Sequence, residues 1–225
     1  MKSSFTCATL LAAASVTICT AASGATLSGT VRDFRADGVN FEGPIINCPG
    51  AVQTTLVGSS PTLTSTGSSC ISNSGAGAFS NWYTKSTDSA SVSLSLVETA
   101  PGSGVYTFSS NAFYPIDGQL LGNEGRSHNY HFTYAIDSTF SYIKGAGQTF
   151  TFTGDDDVWV YFDNLLGIDL GGVHAALTRT VNLDSLFGGT RDSGNYAFNF
   201  FFAERHTTES NLMITTTLAI DDNTV

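Results

Sequence analysis

Positive charge is what this 225-residue chain has least of: nine Lys and Arg stand against 19 Asp and Glu, a net charge of −10. Such a surface repels polyanions, so nucleic acid and anionic membranes are excluded as partners. Proline is scarce, at five residues, and no segment carries the apolar period of an amphipathic helix of useful length. No apolar stretch is long enough, and free enough of Ser and Thr, to read as a membrane span. Familiar catalytic signatures are missing as well: there is no HExxH, no GxSxG, no P-loop and no 12-residue EF-hand loop. Carboxylate pairs for glycoside hydrolysis are set in space and not in sequence, yet nothing here picks out a raised-pKa acid beside an ionised partner. The expectation is a non-enzyme, with a polysaccharide-acting hydrolase as a distant alternative.

Cysteine is limited to four residues, and two of them lie in a leader. Lys2 precedes an apolar stretch from Phe5 to about Thr20, and Ala21–Ala25 offers small residues for cleavage. This reads as a secretory signal peptide over 1–25, cut after Ala22 or Ala25. A lipid on Cys19 is the alternative, but Ile18 is bulky where a small residue is needed. Loss of Lys2 leaves eight basic residues against 19 acidic ones, a net charge of −11. The remaining 26–225 suits a single domain, secreted to the exterior or the cell surface. There Cys48 and Cys70 are the available pair and are expected to bridge.

Glycine, Ser, Thr, Phe and Tyr are plentiful, and alternating runs separated by Gly, Asn and Asp recur. This pattern argues for an all-β antiparallel sandwich or barrel with long surface loops. In Asn195–Ala203, Tyr196, Phe198, Phe200 and Phe202 share one face, with Asn199 and Phe201 on the other. Asn211–Ala219 alternates through Leu212, Ile214, Thr216 and Leu218. Val158–Phe162 is apolar on both faces, as in a strand buried between two layers. A turn at Asp163-Asn164 leads to a short return strand at Ile168–Leu170, and Thr178–Leu183 reads as a further strand. The segment 47–81 is rich in Ser, Thr and Gly, and reads as a long decorated loop or weak hairpin pinned by the disulfide. Trp82 and Tyr83, at its end, read as core residues rather than a sugar platform.

Between two of these strands lie Asp155, Asp156 and Asp157. Adjacent carboxylates repel, and each prefers water or a cation to its neighbours. Taken alone, a solvated acidic turn is the ordinary reading; a hard cation with oxygen ligands is the alternative. His128 and His131 would face opposite sides of a strand, which suits hydrogen-bonded structural residues better than zinc ligands. Glu204 and Arg205 are adjacent opposite charges, each expected to have a partner elsewhere. With His174 and His206 they read as a structural polar motif.

These motifs resemble a family. FYPIDG at Phe113–Gly118, Gly122-Asn123, HNYHFT at His128–Thr133, GDDDVWV within Phe150–Phe162, IDLGGVH at Ile168–His174 and AERH at Ala203–His206 with Ser210-Asn211 are similar, in order, to the fibro-slime domain. Gly29–Phe34 and Asn40–Glu42 are similar to the start of such proteins, and the motif-rich part spans 113–218. The fibro-slime domain is similar in turn to the PA14 superfamily of β-sandwich or barrel modules. That resemblance implies a calcium-dependent binding module for carbohydrate or adhesion, with a glycan or extracellular polysaccharide as partner. A structural slime, matrix or envelope component is the rival reading. It further implies that Asp155 and Asp156, joined by a cis peptide, hold a calcium ion that accepts sugar hydroxyls. Asp157 is then nearby, and Asp169 and Asn211 are candidates to complete the shell. Two departures bear on the sugar more than on the cation: Asp157 stands where many PA14 sugar binders have a small or neutral residue, and their second ligand loop has no counterpart here.

Overall fold

A computed structural model describes residues 24–221, so most of the expected signal peptide lies outside the described residues. The first strand, β1, runs Gly24–Asp33 and pairs Gly24 with Val97 and Ala25 with Leu96. A cut after Ala22 leaves these pairs intact; a cut after Ala25 removes both.

Further strands are β2 (Ser89–Glu98), β3 (Tyr106–Ser110), β4 (Phe132–Tyr142), β5 (Thr149–Gly154), β6 (Asp157–Phe162), β7 (Leu165–Leu170) and β8 (Leu177–Asn182). After a one-turn helix α1 (Leu183–Phe187) come β9 (Gly194–Glu204), β10 (Leu212–Thr216) and β11 (Ala219–Ile220). All pairings are antiparallel, in the order β7-β6-β9-β4-β1-β2-β3-β10-β5-β8, with β11 beside β4. The end strands β7 and β8 come close, so the sheet curls into a nearly closed barrel. The all-β expectation holds. The strand expected over Thr178–Leu183 stops one residue early, because the Asn182 side chain accepts the Ser185 N–H and caps α1.

Period-two alternation builds the barrel interior. Leu94 and Leu96 of β2 point inward while Ser91, Ser93 and Ser95 face out, and Ser93 meets Ser28 of β1 at 2.9 Å. The interior core gathers Phe150, Phe152, Val158, Val160, Phe162, Phe198, Phe200, Phe202, Leu212 and Ile214 among others. As expected from its two apolar faces, β6 sends Trp159 and Tyr161 the opposite way, into a second core with Phe201 and Ala203.

The other half of that second core comes from 47–81, which is therefore no decoration. Ala51, Val52, Leu56, Ile71 and Phe79, with Trp82 and Tyr83 beyond, are buried against the outer face of β6 and β9. Each large side chain removed from water contributes roughly 1.5–3 kcal/mol, so this loop is a layer of the fold. Polar contacts fix it there. Tyr161 Oη donates to the Gln53 carbonyl at 2.8 Å, and the Gly50 N–H donates to Asp169 at 2.7 Å. The Cys48–Cys70 disulfide closes it, with Cα atoms 6.6 Å apart. The core reading of Trp82 is confirmed: it is fully buried and its Nε1 donates to the Gly77 carbonyl at 2.9 Å.

Candidate metal and ligand site

Several strand ends meet at the acidic run. Gly154 closes β5 and Asp157 opens β6, so Asp155 and Asp156 carry the chain from the β5–β10 pairing to the β6–β9 pairing. The crossing is tight, since a Cβ at Gly154 would lie 2.2 Å from the Asn211 carbonyl oxygen. Asp156 takes φ 57, a left-handed conformation uncommon for a residue with a side chain. The cis bond implied between Asp155 and Asp156 is not found; the cis peptide of the described residues joins Thr207 and Thr208.

The three carboxylates diverge. Asp155 accepts from the Asn211 backbone N–H and from its Nδ2, both at 2.6 Å. Asp156 accepts from the Arg205 N–H at 2.6 Å and the His174 N–H at 3.3 Å. Asp157 is fully buried, accepting from the Gly172 N–H at 2.5 Å and pairing with Arg205 Nε at 2.5 Å. The run thus ties the segments at 172–174, 205 and 211 to one point of the chain.

Asp155 and Asp156 share a cleft of about 280 Å³ with His174, Glu204, Arg205 and His206. Ile45, Thr207 and Thr208 also line it. Asp157 and Asp169 are not at this cleft. Asp157 points to Arg205 in the core, and Asp169 is occupied by Gly50 and by Trp159 Nε1 at 3.2 Å, under the 47–81 layer. Asn211 does not line the cleft and reaches it through its bonds to Asp155 and, at 3.5 Å, to Glu209.

The residue that sequence reasoning placed elsewhere is Glu204. It is 1% exposed, and its Oε2 has no hydrogen-bond partner among the described residues. Burial pushes its carboxyl well above the usual range, and Asp156 pushes further in the same direction. Burial does the same to Asp156, with the Arg205 guanidinium working against it and Asp157 adding to it. Arg205 offsets the two acids only in part and through space: its Nε is committed to Asp157, its Nη1 donates to the Asn40 carbonyl at 3.1 Å, its Nη2 has no hydrogen-bond partner among the described residues, and it lies 5.1 Å from the Trp82 ring centroid. The site therefore has more buried acid than cation. That donor set, carboxylate oxygens with one oxygen unpartnered, fits a hard cation such as calcium. As the side chains stand, no three Asp, Glu, His or Cys groups among the described residues converge on one metal position.

The expected hydrogen-bonded histidines are found as such. His128 Nδ1 meets Asp117 at 2.5 Å, and the ring of Tyr114 stacks on it at 4.0 Å. His131 lies between two glutamates, with Nδ1 3.0 Å from Glu124 and Nε2 2.9 Å from Glu42.

No protein-family model matches the chain. Protein psiC of Dictyostelium discoideum is 47% identical over 133 residues, covering 56% of this chain and 25% of that protein. Protein psiQ of the same organism is 41% identical over 140 residues, 56% of this chain and 14% of the relative. Protein psiE, also from Dictyostelium discoideum, is 34% identical over 224 residues, 87% of this chain and 44% of the relative. In backbone the chain is similar to the PA14 domain of the MpAFP antifreeze protein, at TM-score 0.36 and 11% identity over 92% of this chain and 88% of that one. The chain thus spans less than half the length of each of these curated relatives, and its sequence likeness is to the Dictyostelium psi proteins.

Proposed function

We propose that this protein is an extracellular calcium-dependent binding module, whose cation is held by Asp155, Asp156 and Glu204 and whose ligand enters the cleft beside them. The observation that carries this reading is the unpartnered, buried Oε2 of Glu204 next to two further carboxylates, with Arg205 turned away toward Asp157. An unsatisfied buried acceptor costs about 1–3 kcal/mol and more if charged, and a bound divalent cation removes that cost. A ligand rich in vicinal hydroxyls, as a glycan is, suits an oxygen-coordinated ion with open positions.

Calorimetric titration with calcium at neutral pH tests the cation. Saturable binding with a raised melting temperature supports the reading, and identical melting curves in calcium and in chelator sink it. A glycan array read in calcium and in chelator tests the ligand separately.

A second reading rests on the other contacts of the run. Asp155, Asp156 and Asp157 each hold a backbone N–H from a different segment, which is what a purely structural knot in a matrix component needs. Calcium binding with silence on the array and calcium-induced self-association would favour it.

A further inference from the structure

The loop that walls the cleft is fastened by an arrangement that responds to protons. After Phe41, the chain runs through an exposed stretch, Pro44–Asn47, before Cys48 is buried again. Ile45 in this stretch is 70% exposed and lines the cleft. Its near end is held by the buried Phe41, by Asn40 on the Ser72 and Gly77 carbonyls, and by Glu42, whose Oε1 meets His131 Nε2 at 2.9 Å. On the other ring nitrogen, Nδ1 meets Glu124 Oε2 at 3.0 Å. His131 is 2% exposed, so water does not stand in for either contact.

Both nitrogens of one buried imidazole therefore face carboxylate oxygens. Carboxylates accept only, and a neutral imidazole has one N–H and one lone pair. A neutral ring would aim that lone pair at an ionised oxygen, whereas the imidazolium satisfies both. The remaining charged neighbours come from every segment around the ring. Arg126 approaches Glu42 at 3.5 Å and Glu124 at 3.8 Å, and Arg35 approaches Glu124 at 3.5 Å. His206, itself at the cleft, lies 3.9 Å from Glu42. The Ala36 N–H also donates to Glu124, at 2.9 Å. Arg126 also bridges the two glutamates, at longer range, and the ring nitrogens make the shorter contacts, 2.9 and 3.0 Å.

We propose that Glu42, His131 and Glu124 form a proton-dependent latch: the doubly protonated ring holds the Glu42 arm down and so sets Ile45 at the edge of the cleft, and loss of one proton loosens that arm. The latch stands on its own geometry; its effect on ligand capture rests on the binding function proposed above. The hold needs both ring protons, because a ring with one N–H leaves a lone pair facing an ionised oxygen.

Nitrogen-15 NMR of histidine-labelled protein reads the latch directly, without calcium or glycan. Both His131 nitrogens are expected to carry protons at pH 6. Amide exchange at Ile45 and Ile46, corrected for its intrinsic pH dependence, is expected to rise about tenfold when the ring loses one proton. In Glu42→Gln, exchange at those amides is expected to be fast and insensitive to pH. A ring with a single N–H at pH 6, or loop exchange indifferent to its titration, overturns the latch. Because none of these readings involves calcium, a failed latch and a failed cation site are separate results.

Discussion

Glu204 and Arg205, neighbours at the end of β9, point into opposite halves of the molecule. Glu204 continues the face of Phe200 and Phe202 and ends in the cleft with one oxygen unpartnered. Arg205 continues the face of Phe201 and Ala203 and closes on Asp157 beneath Trp82. Two opposite charges adjacent in sequence thus make their direct contacts in different places, although both border the cleft and the arginine's charge still acts on the glutamate.

Glu204→Gln removes the acid at the cleft and leaves the Arg205–Asp157 pair in place. The expected outcome is loss of the calcium-dependent rise in melting temperature, with the calcium-free protein as stable as the parent or more so. Scanning calorimetry with and without calcium checks this. A variant that still gains stability from calcium would remove Glu204 from the proposed shell.

Asp157→Asn has the opposite signature. It strands a guanidinium that is 2% exposed, and removing one partner of a buried pair typically costs about 3–5 kcal/mol. Urea unfolding should show that loss with and without calcium alike, since Asp157 is not at the cleft.

Replacing Cys48 and Cys70 together by Ser opens a link between residues 22 apart in sequence. Loop-closure entropy puts the cost at about 3 kcal/mol. The damage should concentrate in the layer over β6 and β9, seen as faster amide exchange at Gln53 and Leu56 ahead of the β4 amides.

Asp184 gives the fold an acid-sensitive joint away from the cleft. It accepts from Tyr142 Oη at 2.6 Å and from the Gly145 and Gly147 N–H groups at 2.8 Å each. These bonds, the tyrosine's first, hold its carboxyl below the ordinary value of 3.8, while the same bond pushes the Tyr142 hydroxyl up to about 12. A carboxyl depressed by folding stabilises above its unfolded value and loses that contribution as pH falls through the folded one. Melting temperatures of the parent and Asp184→Asn should differ at neutral pH and converge below about pH 4.

Strand periodicity made much of the barrel readable. The aromatic alternation of β9 and the two-faced apolar run of β6 predicted which side chains go to which layer, and both layers exist. The 47–81 segment was opaque because its apolar residues follow no period; they are spaced by turns and held by long-range contacts such as Tyr161 to Gln53. The cleft was half legible. Asp155 and Asp156 stood out as a charge run, but the fate of Asp157 depends on Arg205, 48 residues on. For Glu204 a signal was available: carrying the β9 alternation two residues further puts the glutamate and the arginine on different faces.

The layer formed by 47–81 has a consequence for handling and export. Beneath it lie Trp159, Tyr161 and Phe201, all fully buried on a sheet face that this layer covers together with Trp82 and Tyr83. If reduction lets the layer lift, a flat aromatic surface is presented to neighbouring chains, and such surfaces associate. The disulfide therefore guards colloidal behaviour as much as folding free energy, and the reduced protein is expected to precipitate before it unfolds.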